Sequence, residues 1–157
     1  MFRGLYEHAI DAKGRTTFPS RFREVLAGGA TRAPEACETV EERLIVTTGI
    51  ERCLVAYTPV AWDAFEAKLA ALSQFDAAVV QLKRIYVAPA TECVIDKHGR
   101  LLIPPMLREY SGLTHDVVWA GMVTTIELWA KERWARQVDA SRTDPGAIVR
   151  ALTELGL

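Results

Sequence analysis

Residues 10–23 read IDAKGRTTFPSRFR, and residues 95–108 read IDKHGRLLIPPMLR. The two segments share the pattern apolar-Asp-x-x-Gly-Arg-x-x-apolar-Pro-x-x-apolar-Arg and start 85 residues apart. An internal repeat of this kind predicts two copies of one supersecondary unit. It also predicts that each functional residue has a partner related by approximate two-fold symmetry.

The repeat continues beyond these segments. Residues 49–62 match residues 121–134 at a spacing of 72, so the first copy carries extra residues, which we assign to residues 31–43. That stretch contains Pro34 and four glutamates, so we expect a solvated acidic surface loop. The glutamates are Glu35, Glu38, Glu41 and Glu42.

Each copy has the pattern of a strand, an Asp-x-x-Gly turn, a second strand, a short helix, a β-hairpin and a longer helix. In the first copy, Pro19 ends the second strand because proline has no N–H to donate to a ladder. The hairpins are predicted across Gly49 and Gly121. A lone hairpin is marginally stable in water, so the two copies should interleave their strands into one small barrel with flanking helices, an α+β fold.

Local signals predict where the longer helices begin. Thr58 is a suitable N-cap before Pro59, and Asp76 caps the next helix. Asp144 followed by proline marks the start of a last helix. After Thr58, apolar residues recur at helical spacing and define one face of a helix, in the core or at an interface, made of Trp62, Phe65, Leu69 and Leu72.

The repeat divides the chain into four segments. We expect residues 1–75 to form the first repeat and residues 76–90 a helical connector. Residues 91–140 should form the second repeat, and residues 141–157 a C-terminal helix.

Composition excludes several classes of protein. The net charge of −1 gives no global attraction to nucleic acid, so such binding must come from local clusters. Three widely spaced cysteines without a C-x-x-C pair predict neither a disulfide framework nor a zinc site. No signal peptide or apolar run long enough for a membrane span is apparent. P-loop, Rossmann and nucleophile-elbow motifs are absent, so we expect no enzyme and no cofactor.

The residues that could carry function lie on the two turns. Arg15 and Arg100 each follow a turn glycine, and arginine offers a rigid fork of donors suited to phosphate or to a guanine edge. Lys13, Lys97 and His98 share the turns, and Arg3 is expected to add to the same basic surface. Together these residues predict a surface that binds nucleic acid.

Structural roles compete with these functional ones. Asp11 and Asp96 are expected to be structural, through ion pairs with the following arginines or through Asx-turns to backbone N–H groups. Arg23 and Arg108 are expected to be structural as well, as carbonyl caps or pairs across an interface. The four tryptophans are interpreted as packing residues rather than as platforms for base stacking.

With these motifs in order, the chain resembles the MraZ family. The resemblance is carried by the opening Met1-Phe2-Arg3-Gly4, the doubled Asp-x-x-Gly-Arg motif and the run Ile126-Glu127-Leu128-Trp129. It covers the chain from Met1 to about Val138.

The resemblance implies a bacterial transcriptional regulator of the division and cell-wall gene cluster, with AbrB-like swapped-hairpin repeats. It implies closed rings of subunits that bind promoter direct repeats in double-stranded DNA, in the cytoplasm at the nucleoid. It also implies that DNA contacts come from the Asp-x-x-Gly-Arg loops, here from Arg15 and Arg100. The alternative is an oligomeric protein-interaction scaffold that does not bind DNA, which the low net charge and the acidic insert favour.

Overall fold

A computed structural model describes residues 1–29 and 42–156 of the chain, and most of the predicted acidic loop, residues 31–43, lies outside them. The strands are β1 (Leu5–Ala9), β2 (Arg15–Thr17), β3 (Arg43–Thr48), β4 (Leu54–Tyr57), β5 (Thr91–Val94), β6 (Arg100–Leu102), β7 (Asp116–Met122) and β8 (Thr125–Ala130). The helices are α1 (Ser20–Gly29), α2 (Pro59–Ala70), α3 (Ala77–Leu82), α4 (Pro105–Ser111), α5 (Lys131–Arg142) and α6 (Pro145–Glu154), and a π-helix at Lys83–Val87 directly follows α3.

The strands of the two copies pair with each other. Six of them form one antiparallel sheet in the order β1-β7-β8-β4-β3-β5, and β2 and β6 form a separate two-stranded ribbon. The first strand of each copy leaves its own copy, because β1 pairs with β7 and β5 pairs with β3. The predicted α+β class and the interleaving of strands are therefore present.

Two ladders are centred on one pseudo-two-fold axis. In the ribbon, Thr16 lies opposite Leu101, its equivalent in the 85-residue repeat. In the sheet, Val55 of β4 lies opposite Glu127 of β8, its equivalent at a spacing of 72. A residue that pairs with its own repeat equivalent must lie beside the axis that relates the copies. The strand register thus contains the symmetry that the sequence predicted.

The ribbon connects the two edges of the six-stranded sheet. Ile10, next to β1, forms a backbone bridge with Thr16, and Ile95, next to β5, forms one with Leu101. Each connection is a single bridge rather than a ladder. Closure into an AbrB-like swapped-hairpin barrel therefore stays a prediction.

The main core combines residues of both copies and lies between the ribbon, the short helices and one face of the sheet. The ring of Phe18 meets that of Trp119 edge-on, with centroids 5.3 Å apart. A smaller core on the opposite face contains Val118 and Trp129, as the alternation of side chains along β7 requires. Residues of the main core that are at most 1% exposed include Phe18, Phe22, Leu44, Leu101, Ile103 and Trp119.

The predicted helix starts are confirmed. The Oγ1 of Thr58 accepts a hydrogen bond from the Ala61 N–H at 3.2 Å, and Pro59 occupies the first helical position. The Asp76 carboxylate accepts from the Ala78 N–H at 2.8 Å. These caps satisfy N–H groups that the first turn of a helix leaves without partners.

Two details of the predicted elements are wrong. Gly121 lies inside β7, and the hairpin turns at Val123, which has a positive φ of 69°. Gly121 has a different role. A Cβ there would lie 2.6 Å from the backbone nitrogen of Arg3. The glycine therefore permits the N-terminal segment to cross β7 closely. Leu72 lies beyond the end of α2 and is 52% exposed, so it is not part of the buried helix face.

Candidate nucleic-acid interface

The first Asp-x-x-Gly-Arg turn is organised by one carboxylate. Oδ1 of Asp11 accepts hydrogen bonds from the backbone N–H groups of Lys13 at 3.0 Å and Arg15 at 2.9 Å. Oδ2 accepts from Nε of Arg15 at 2.8 Å. Gly14 has a φ of +87°, a conformation that favours glycine, and donates its N–H to the Asp11 carbonyl at 2.9 Å.

The second turn repeats this geometry. Oδ1 of Asp96 accepts from the N–H groups of His98 at 2.8 Å and Arg100 at 2.9 Å, and Oδ2 accepts from Nε of Arg100 at 3.1 Å. Gly99 has a φ of +73°. Both structural readings of the aspartates therefore hold at once, since each forms an Asx-turn and an ion pair.

The charged form of each aspartate is favoured by its own turn. Hydrogen bonding from the Arg15 backbone N–H is the largest influence that lowers the pKa of Asp11, and the Arg15 side chain adds to it. The Arg100 backbone N–H lowers the pKa of Asp96 in the same way. Both carboxylates are exposed, so these shifts describe local order rather than a buried functional acid.

The ribbon brings the two turns together on one face. Arg15 pairs with Leu102, and Arg100 pairs with Thr17. Side chains alternate across a strand, so both arginines lie on the outer face, opposite to the buried Thr16 and Leu101. Diagonal neighbours of this kind in an antiparallel pair are about 7–8 Å apart. The two arginines are therefore neighbours in space.

The guanidinium group of each of these arginines is bonded at one nitrogen and solvent-accessible. The side chains of Arg15 and Arg100 are 36% and 35% exposed. Among the described residues, only the Nε of each guanidinium has a hydrogen-bond partner, its own turn aspartate. The terminal Nη groups can therefore bind an external acceptor, while the aspartate fixes the direction in which they point.

The remaining predicted residues divide into two places. Lys13, Lys97 and His98 are exposed on the turns beside the arginines. Arg3 is not among them, because it lies at the opposite end of β1 from the first turn. There it shares a surface cavity with Arg21 at the start of α1.

Two arginines that we expected to be only structural also contact the turns. Arg108 lies against Gly14, and Arg23 lies against Gly99, so each reaches the turn of the other copy. Their equivalence was visible in the sequence, because they are 85 residues apart like the turns themselves. Their proximity was not visible, because it depends on the pairing of β2 with β6.

A surface cavity beside β4, in the described part of the chain, offers no reactive nucleophile. It measures about 330 Å³ and is lined by residues that include Cys53, Tyr57, Tyr86 and Glu127. Burial raises the pKa of Cys53 to about 12, so the thiol is protonated and unreactive near neutral pH. Burial, with a 2.7 Å hydrogen bond to the Tyr57 hydroxyl, also raises the pKa of Tyr86.

The four tryptophans are buried or partly buried. Trp62, Trp119 and Trp129 are at most 5% exposed, and Trp134 packs against the smaller core, in agreement with a packing role. Within residues 1–29 and 42–156, no helix is both long enough and apolar enough to cross a membrane.

Comparisons with known proteins all point to one family. A family model described as "MraZ protein, putative antitoxin-like" matches the chain twice, over residues 1–85 and 86–147. A protein of Acetivibrio thermocellus named transcriptional regulator MraZ is 38% identical over 157 residues, which is all of both chains. Proteins of the same name from Lachnoclostridium phytofermentans and Syntrophobacter fumaroxidans are 41% and 36% identical. The first match covers 85% of this chain and 84% of the relative, and the second covers 99% and 97%.

Proposed function

The chain belongs to the MraZ family, and from this membership we propose that it is a transcriptional regulator that binds double-stranded DNA through its two arginine turns. The observation that carries the proposal is that Arg15 and Arg100 lie diagonally across the ribbon, on the same outer face. The DNA is the promoter of the division and cell-wall gene cluster, and the binding unit is a closed ring of subunits acting at the nucleoid.

The turns suit this role because their arginines are oriented before DNA arrives. An arginine that is free in solution loses side-chain entropy when it binds, whereas Asp11 and Asp96 already restrain these two. The two Nη groups of each guanidinium match a phosphate or the O6 and N7 atoms of guanine. Lys13 and Lys97 add point charges that favour phosphate without reading sequence.

A single subunit would bind DNA weakly at cellular salt. Each neutralised phosphate contributes a slope of about −0.9 to the dependence of log K on log salt, so a few contacts lose much affinity as salt rises. A ring overcomes this limit because neighbouring subunits engage neighbouring repeats on one duplex, and the later contacts form at high effective concentration. The low net charge of the chain then matters less than the charge of the ribbon face.

The proposed assembly is supported by apolar side chains that the subunit leaves exposed. They include Ile50 at 91%, Phe75 at 90% and Val60 at 79% exposed, together with Val149 on α6 and Leu155 directly after it. Large apolar side chains that one subunit leaves exposed are candidates for burial between subunits. Light scattering at micromolar concentration should show an oligomer, and a monomer alone would contradict the ring.

The DNA contact is tested with Arg15→Ala and Arg100→Ala. A labelled duplex from the region upstream of the protein's own coding sequence is titrated at several salt concentrations. Each substitution should cost about 1–3 kcal/mol per engaged site and flatten the salt slope. Arg136→Ala, on the exposed side of α5, serves as the control and should leave both quantities unchanged.

The same titration decides between the two candidate functions. Retention of binding by both variants with the oligomer intact would remove the turns from the mechanism. An oligomer that binds neither heparin nor the upstream duplex at low salt would favour the scaffold. Arg3 stays a prediction from the sequence, because it stands apart from the ribbon face.

A further inference from the structure

Arg23 and Arg108 each lie on the turn of the opposite copy. A Cβ at Gly14 would lie 2.5 Å from Nε and 2.8 Å from Cζ of Arg108. A Cβ at Gly99 would lie 3.0 Å from Nη1 of Arg23. The two glycines are thus covered by guanidinium groups, and each turn carries a second arginine besides its own.

The antiparallel pairing of β2 with β6 places Arg23 and Arg108 on the turns of the opposite copies. Where β2 ends, the Phe18 N–H donates to the Gly99 carbonyl at 2.9 Å, and where β6 ends, the Ile103 N–H donates to the Gly14 carbonyl at 2.8 Å. The helix after each strand therefore begins beside the other copy's turn. Arg23 on α1 and Arg108 on α4 reach across from there.

The two crossed arginines have different surroundings. Nε of Arg23 donates to Oε2 of Glu42 at 2.8 Å, in an ion pair whose side chains are 40% and 30% exposed. Nε of Arg108 donates to the Ile103 carbonyl at 3.1 Å, and no carboxylate pairs with it among the described residues. The two turns therefore differ in one respect: Glu42 pairs with the crossed arginine at the second turn.

The charges at the two turns are unequal as a result. Three cations, Lys13, Arg15 and Arg108, surround the first turn with Asp11 as the one anion among the groups named. The second turn has Lys97, Arg100 and Arg23, but both Asp96 and Glu42 oppose them. A polyanion meets the larger positive charge at the first turn.

We infer that the two turns bind DNA unequally, because Arg108 adds a contact at the first turn while Glu42 neutralises its counterpart Arg23 at the second. This inference rests on the proposed function. It assigns each subunit a strong and a weak half-site, so adjacent base pairs along one repeat contribute unequally to affinity.

The test compares Arg108→Gln with Arg23→Gln, since glutamine removes the charge but keeps an N–H donor at about the position of the arginine Nε. With the upstream duplex as probe, Arg108→Gln should lower affinity about five- to tenfold and reduce the salt slope by about one. Arg23→Gln should lower affinity by only about two- to threefold, because it removes no DNA contact and leaves the Glu42 carboxylate without its partner. Thermal melting verifies that both variants remain folded.

Glu42→Gln supplies the decisive comparison. It should raise affinity about two- to fivefold and steepen the salt slope, since it releases the Arg23 charge. In the Glu42→Gln background, Arg23→Gln should now cost as much as Arg108→Gln does in the natural chain. Glu66→Gln, which removes the same charge from the exposed side of α2, is the matched control and should have little effect.

The outcomes separate this inference from the proposed function. Equal losses from Arg108→Gln and Arg23→Gln, or no gain from Glu42→Gln, would overturn the inequality even if Arg15→Ala abolishes binding. If the natural chain does not bind the duplex at low salt, the proposed function fails and the inference fails with it.

Discussion

At the scale of the residue, one aspartate in each turn performs two tasks. Oδ1 of Asp11 accepts two backbone N–H groups that the tight turn would leave without partners. Oδ2 orients Nε of Arg15, which is the side chain that we propose to contact DNA. Local turn formation and the direction of the arginine are thus coupled through one carboxylate, and the same holds for Asp96 and Arg100.

The turn aspartates should make stability depend on pH in the acid range. Their folded-state pKa values lie below the ordinary 3.8, so the unfolded chain takes up protons first as pH falls. Their stabilisation is therefore complete above 3.8 and is lost as pH falls through the lower folded value. The Asp11→Asn/Asp96→Asn variant should melt below the natural chain at pH 7, and this difference should shrink as pH falls from about 4 to 2.

The measurement is the melting temperature across that pH range, by circular dichroism. Asp139→Asn, on the exposed side of α5, controls for the loss of a carboxylate that has no hydrogen-bond partner among the described residues. A difference between the double variant and the natural chain that stays constant from pH 7 to 2 would show that the turn carboxylates do not stabilise the fold.

Gly14 is required by conformation and by space. An alanine there would hold a φ of +87°, and its Cβ would lie 2.8 Å from the Ile103 carbonyl oxygen. Gly14→Ala should therefore lower the free energy of unfolding by about 1–3 kcal/mol. Gly28→Ala is the contrast, because nothing lies within 4 Å of its Cβ and the site is helical. It should stabilise by up to about 1 kcal/mol. Urea denaturation measures both, and equal effects would contradict the argument.

At the scale of the element, the signals that were correct are the ones that act within a few residues. Thr58 and Asp76 cap helices through hydrogen bonds to N–H groups two or three positions ahead, so their roles are readable from sequence. The turn predicted at Gly121 is wrong, since what this glycine accommodates is the backbone of Arg3, which is distant in the chain. The crossing of Arg108 to Gly14 was likewise hidden, since it follows from a strand pairing and not from a local pattern.

The π-helix is held by side chains of β3. The hydroxyl of Thr47 donates to the Tyr86 carbonyl, and that of Thr48 donates to the Ile85 carbonyl at 2.5 Å. A π-helix displaces carbonyls from the ordinary helical hydrogen-bond pattern, so these hydroxyls replace the missing donors. The irregular element is thereby explained by its attachment to the sheet.

Thr47→Val should consequently release the π-helix. Valine has the shape of threonine but leaves the Tyr86 carbonyl without its donor, at a cost of about 1–3 kcal/mol. Amide hydrogen exchange in Lys83–Val87 should become faster in this variant and stay slow in Thr47→Ser, which keeps the hydroxyl. Equal protection in the two variants would show that the hydroxyl does not hold the element.

At the scale of the whole molecule, the internal repeat predicts how the two copies pair, which the signals for single helices and strands do not. The spacings of 85 and 72 reappear as the registers of Thr16 with Leu101 and Val55 with Glu127, so the duplication determines how the copies meet. The neighbouring positions of Arg15 and Arg100 follow from the same symmetry. The unequal surroundings of Arg23 and Arg108 could not follow from it, because the equivalent position is Glu42 in the first copy and His115 in the second. Ile95 donates its N–H to the Glu42 carbonyl as Ile10 does to the His115 carbonyl.

Interleaving makes neither copy complete by itself, which a divided chain can test. A cut between Ser73 and Gln74, in an exposed connection, separates β1–β4 from β5–β8. Each fragment then loses half of the ribbon and the partner of its first strand. Neither fragment should fold as a monomer, because a hairpin without its neighbours is marginal in water.

An equimolar mixture of residues 1–73 and 74–157 should regain the native circular dichroism and a cooperative melting transition. Trp119 reports the assembly, since its fluorescence should shift to shorter wavelength when Phe18 of the other fragment packs 5.3 Å from its ring. Leu101→Asp in the second fragment should prevent recovery, because it puts a charge at a position that is 0% exposed on the pseudo-two-fold axis. A monomeric fragment that melts cooperatively alone would mean that the copies are independent units and that their exchanged strands are not needed for folding.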